Sequence, residues 1–161
     1  MNLIENKERI FSQVAQAMET ANRTDQVNVI AVTKYVGIDQ AKVLVDTGVR
    51  HIGENRVDKF LEKYQALKDE GLTWHLIGSL QRRKVKEVIN FVDYFHALDS
   101  MKLAQEIQKR ASHPIKCFIQ VNISGEESKH GFAPEELDAV LPELEGLDNL
   151  QIVGLMTMAP F

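Results

Sequence analysis

Apolar positions along the chain switch between two rhythms, and each switch marks an element boundary. Ile10, Val14, Ala17, Met18 and Ala21 recur at helical spacing, which predicts a leading amphipathic helix. Residues 27–33, VNVIAVT, are a nearly continuous apolar run rich in β-branched side chains. Such a run suits a strand covered on both faces, as in parallel sheets. A helix over 39–47 follows, stopped by Gly48. Residues 49–55, VRHIGEN, contain a short strand, and Val57, Phe60, Leu61, Tyr64 and Leu67 mark a helix ending before Gly71. Residues 73–79, TWHLIGS, predict the next strand, and Val85, Val88, Ile89 and Val92 the next helical stripe. Residues 94–98, YFHAL, are a strand, with Ser100 placed to cap the following helix. Residues 115–123, IKCFIQVNI, form the longest strand. Pro134, Glu135 and Glu136 open a further helix, which Pro142 is expected to break or kink. Residues 151–158, QIVGLMTM, are the last strand.

This alternation amounts to about six βα units with short links, so residues 1–161 are expected to form a single α/β domain with parallel strands. Periodicity does not choose between a doubly wound sheet and a barrel. Length by itself favours the open sheet, since a complete (β/α)8 barrel typically takes roughly 250 residues. The sequence stops at MTMAPF, directly after a strand and without a covering helix. The expectation is a fragment, or a chain completed by a second copy; an ordinary edge strand is the alternative.

Composition narrows the class further. An apolar content of 44% and a charged content of 26% are ordinary for a globular protein. The net charge of −4 argues against bulk attraction to nucleic acid or to an anionic membrane. No run of about 18 apolar residues is present, and MNLIENKERIF carries charges where a signal peptide needs its apolar stretch. Cys117, the one cysteine, has no internal partner. Together these point to the cytoplasm.

In parallel α/β folds ligands gather at the carboxyl ends of strands, so the residues after each strand are the candidates for chemistry. Lys34 ends the first apolar run. It either snorkels to solvent or sits there partly desolvated, where a neutral amine attacks an aldehyde. LQRRKVKEV places four basic residues near a helix start, which suits either a solvated face or an anion, RNA included. His51, His75 and His96 lie in or beside consecutive strands. They are either partly buried core histidines or a metal site, though no H-x-H or H-E-x-x-H spacing is present. VNISGEESKHGF is either a solvated loop or a rim segment over a ligand. Met156 and Met158 flank Thr157 at the end of the last strand, and one of the two is expected to face the interior and the other a covering helix.

Six segments in register, AVTKY, HIGENRV, WHLIGSLQRRKVK, HALDS, VNISGEESKHGF and GLMTM, resemble the motifs of the pyridoxal-phosphate homeostasis proteins. That family is similar in fold to the N-terminal barrel of bacterial alanine racemases. The resemblance implies a TIM (β/α)8-barrel type of fold, with about six of its βα units in this chain. It implies that Lys34 carries pyridoxal 5′-phosphate as a Schiff base, with Asn55 near the cofactor on the same rim. His75, Ile77 and Met156 are implied as walls around the ring, and Lys129 matches a family lysine on the rim loop. Two departures stand out. Arg83 replaces an asparagine common in the family. The family also continues for roughly two further βα units, which hold its phosphate-gripping serine- and glycine-containing turn and Arg-Ile-Gly turn. The implied function is intracellular vitamin B6 homeostasis by a non-catalytic carrier or regulator. Its partners would be the cofactor and pyridoxal-phosphate-dependent apoenzymes, with no nucleic acid and no membrane. The family is monomeric, and association is open to a shorter chain. A racemase-like enzyme is the first alternative; an anion- or RNA-binding module using Arg82, Arg83, Lys84 and Lys86 is the second.

Overall fold

A computed structural model describes residues 2–126 and 130–160 of the chain. Helix α1 (Leu3–Thr20) leads, capped by Asn2, whose side-chain oxygen accepts from the Ile4 and Glu5 N–H groups at 3.0 and 3.1 Å. Six strands and five helices then alternate: β1 (Ile30–Val32), α2 (Ile38–Asp46), β2 (His51–Glu54), α3 (Val57–Leu67), β3 (Thr73–Leu76), α4 (Val85–Val88), β4 (Tyr94–Leu98), α5 (Met101–Arg110), β5 (Ile115–Gln120), α6 (Leu137–Glu145) and β6 (Leu150–Met156).

All strand pairs are parallel, and the sheet order is β1-β2-β3-β4-β5-β6. This order decides what periodicity left open. A doubly wound sheet reverses direction at a switch point, whereas an order that runs with the sequence winds one way only. Right-handed crossovers then put every helix on the same face. The architecture is that of barrel staves laid side by side.

The helix-side face of the sheet carries the core. Ile52, Leu76, Phe95, Cys117 and Ile119 are wholly buried there. Trp74 packs against Phe60 and Tyr64 of α3, with ring centroids 5.6 and 5.2 Å apart. Each such side chain contributes about 1.5–3 kcal/mol by leaving water. The opposite, concave face carries Val32, His51, Gly53, His75, Tyr94, His96, Lys116 and Phe118, assigned by strand alternation and register.

Several boundaries differ from the sequence expectation. The first apolar run joins the sheet only from Ile30 onward, and Val27 is exposed. Helix α1 buries none of its residues; it lies against α2, with Phe11 partly buried against the core. The stripe around Val85–Val92 forms one short α-helix between two 3₁₀ turns, Arg82–Lys84 and Ile89–Phe91. Pro142 does not end its helix: α6 runs through it, since proline removes one donor while packing of Val140 and Leu144 holds the element.

Candidate functional site

The carboxyl end of β1 is the most constrained point of the rim. Thr33 extends the ladder by donating its N–H to the Gly53 carbonyl at 3.0 Å. The chain then turns: the Val36 N–H donates to the Thr33 carbonyl at 3.1 Å, making Lys34 and Tyr35 the central residues of a β-turn. Lys34 is exposed, and its Nζ lies 5.1 Å from the centre of the Tyr35 ring, itself 90% exposed. Of the two readings of Lys34, exposed to solvent or partly desolvated, the structure has the exposed one.

The buried lysine is another one. Lys63 of α3, only 3% exposed, reaches the rim from the helix side. Its Nζ donates to the Thr33 carbonyl at 2.8 Å and to Glu54 Oε2 at 2.9 Å. The same Oε2 accepts from the Thr33 hydroxyl at 2.5 Å. Glu54 is wholly buried, and its Oε1 has no hydrogen-bond partner among the described residues. The sequence places Glu54 among the polar residues after the second strand without giving it a role, and the reading of the sequence missed Lys63. The signal was present, because Lys63 falls three positions after Phe60 and four before Leu67 on the buried stripe.

Beside this turn, Asn55 follows β2, half-buried, and no side-chain hydrogen bond ties it down among the described residues. Gly78, after β3, lies hard against it. A Cβ on Gly78 would stand 2.3 Å from the Asn55 carbonyl oxygen, so only glycine lets the two strand ends touch. Gly53 is closely flanked by apolar side chains on the concave face: a Cβ there would meet Ile30, Ile77 and Val32 at 3.1, 3.5 and 3.7 Å. Lys34, Asn55 and Ile77 thus follow three neighbouring strands on one rim. Met156 belongs to the edge strand farthest from β1; register with Gln120 sets it on the concave face. Lys129 lies outside the described residues.

His75 sits deeper, in the middle of a histidine chain. His51 Nδ1 and His75 Nε2 are 3.0 Å apart, and His75 Nδ1 and His96 Nε2 are 2.9 Å apart. Tyr94 stacks on His75 at 4.7 Å, and Phe118 lies 4.7 Å from His96. Burial, then His96 and then His51, pull His75 down to about 3. Burial likewise lowers His51 and His96. Three neutral imidazoles satisfy both bonds, since each has one donor and one acceptor nitrogen and all can point the same way. The histidines thus meet, but as a chain bonded to itself; no cluster in metal-holding geometry occurs among the described residues.

The basic segment Arg82–Lys84 is a single turn, with Arg82 and Arg83 exposed beside a cleft shared with Asp99 and Ser100. Asp99, half-buried, lies 3.8 Å from His130 Nδ1, and burial raises its carboxyl above the usual range.

Comparison with known proteins places the chain in a family. The family model for the alanine racemase N-terminal domain matches residues 6–161. A pyridoxal phosphate homeostasis protein of Aquifex aeolicus is 39% identical over all of this chain and 72% of its own length. One from Pseudomonas aeruginosa is 32% identical over 97% of this chain and 70% of its own length. The structure of PipY from Synechococcus elongatus with PLP bound superposes with a TM-score of 0.81 at 30% identity, covering 99% of this chain and 71% of that one. An alanine racemase of Clostridium difficile, at 19% identity and a TM-score of 0.67, shares the fold.

Proposed function

The chain belongs to the alanine racemase N-terminal domain family, on the branch of the pyridoxal phosphate homeostasis proteins, and from that premise we propose that it binds pyridoxal 5′-phosphate through Lys34 to hold and hand on the cofactor. The observation that carries the reading is the position of Lys34. Its amine is the first free group beyond the strand that opens the barrel, on an open rim, with the backbone behind it pinned.

The residues present fit the aldehyde end of this cofactor. When bound, pyridoxal phosphate supplies an aldehyde carbon to which an amine nitrogen can bond, its oxygen leaving as water. Lys34 provides the amine. Asn55 offers an amide uncommitted among the described residues, as a donor or acceptor for a ring substituent. Ile77 and Val32, flanking the bare Cα of Gly53, give apolar ground for a planar ring. His75 lies in the floor beneath, and Met156 closes the concave face from the far edge strand.

The carrier reading is favoured over a racemase by the company the chain keeps: the pyridoxal phosphate homeostasis proteins match it at up to 39% identity, an alanine racemase at 19%. The job that follows is to buffer a reactive aldehyde in the cytoplasm and release it to apoenzymes.

The test is a spectroscopic titration. Adding pyridoxal phosphate to the protein should raise the long-wavelength absorbance of the lysine-linked cofactor, and Lys34→Ala should abolish it. Retention of that band in the variant sinks the assignment of Lys34. Measurable turnover of a panel of amino acids sinks the non-catalytic part.

A further inference from the structure

We propose that Glu54 and Lys63 are positioning residues: a buried clamp that sets the turn presenting Lys34, and so sets how readily its amine captures an aldehyde. The inference rests on the reading of Lys34 above and adds two residues that touch neither cofactor nor solvent.

The geometry is specific to Thr33. Its four polar contacts fix the residue completely: N–H to Gly53, carbonyl to Val36 and to Lys63, hydroxyl to Glu54. The two Lys63 bonds, to the Thr33 carbonyl and to Glu54, make a closed ring with the Thr33 hydroxyl. The carbonyl that Lys63 holds belongs to the Thr33–Lys34 peptide. Lys63 and the Val36 N–H together fix the direction of that carbonyl, and so the β-turn whose first central residue is Lys34.

Stability alone does not account for such a pair. Burying a carboxylate and an ammonium costs several kcal/mol per ion, and apolar replacements of similar volume are often neutral or stabilising. Here Oε1 is left without a hydrogen-bond partner among the described residues, while Oε2 takes both the Thr33 and Lys63 bonds. What the ions supply that leucine and methionine cannot is direction, aimed at the residue before the amine.

The experiment compares two ligands on the intact chain. One is pyridoxal phosphate, read by the absorbance of the lysine-linked form. The other is pyridoxine phosphate, whose alcohol in place of the aldehyde cannot condense with an amine, read by calorimetry. The variants are Thr33→Val, which removes only the hydroxyl, and the double replacement Glu54→Leu with Lys63→Met. The expected result is a lysine-linked fraction weakened about tenfold in the double variant and about threefold in Thr33→Val. Binding of the alcohol should stay within about twofold of wild type, because it does not use the amine. Equal weakening for both ligands would mean that the clamp merely keeps the fold, and overturns the proposal. So does unchanged linkage in Thr33→Val, the variant that decides if the double replacement does not fold. Lys34→Ala separates the two levels. Loss of the band there with unchanged linkage in the clamp variants overturns the clamp alone, whereas a band that survives Lys34→Ala removes the Lys34 reading beneath it.

Discussion

Acid should weaken this fold through His75, and the size of the effect follows from the histidine chain. The ring is 3% exposed, lies between two other imidazoles and stays neutral down to about 3. In the unfolded chain it returns to its ordinary value of 6.5. Between those limits the unfolded chain binds the extra proton, so stability falls as pH falls. The contribution is intact above about pH 6.5 and is spent progressively on the way down to about 3. Going from about pH 7.5 to about pH 5 covers roughly one and a half pH units of that window, which amounts to about 2 kcal/mol at 1.36 kcal/mol per unit. His51 and His96 shift in the same direction and add to the slope. Urea midpoints at the two pH values, for wild type and His75→Gln, measure it. Glutamine keeps a donor and an acceptor but does not titrate, so the variant should lose about 2 kcal/mol less than wild type on acidification. Equal losses in the two proteins would refute the neutral chain. So would an NMR titration in which the His75 ring protonates near 6.5.

Three further outcomes are expected. Gly78→Ala should destabilise by about 3 kcal/mol in chemical denaturation, because its methyl would fall 2.3 Å from the Asn55 carbonyl oxygen; the same variant should weaken cofactor linkage by displacing Asn55. Cys117, wholly buried with its thiol pushed up to about 12, should react with a thiol reagent only at the rate of unfolding. Ser100→Ala removes the cap that accepts the Leu103 N–H at 3.1 Å and should cost about 1 kcal/mol by thermal or urea denaturation.

The sequence by itself determined the order of elements and the rim. Alternating apolar rhythms located every strand, since a buried parallel strand has to be continuously apolar and a covering helix has to be apolar on one stripe. Lys34 and Asn55 were legible as strand-end positions for a related reason: polar residues directly after an apolar run fall at strand ends whatever the sheet order; Ile77, like any role for Asn55, came from the family resemblance. The break allowed for at Pro142 does not occur and the run before Ile30 does not pair, because local propensity is weak beside tertiary packing. Only the tertiary structure decided which strands are neighbours, because hydrogen-bonded order depends on how successive crossovers wind and leaves no trace in periodicity. The same holds for pairings across strands. His51, His75 and His96 are more than 20 residues apart in sequence, yet the register links them by hydrogen bonds. Thr33 and Lys63 are 30 residues apart, and only the docking of α3 on β2 turns a surface-seeming lysine into the buried partner of the turn that presents Lys34.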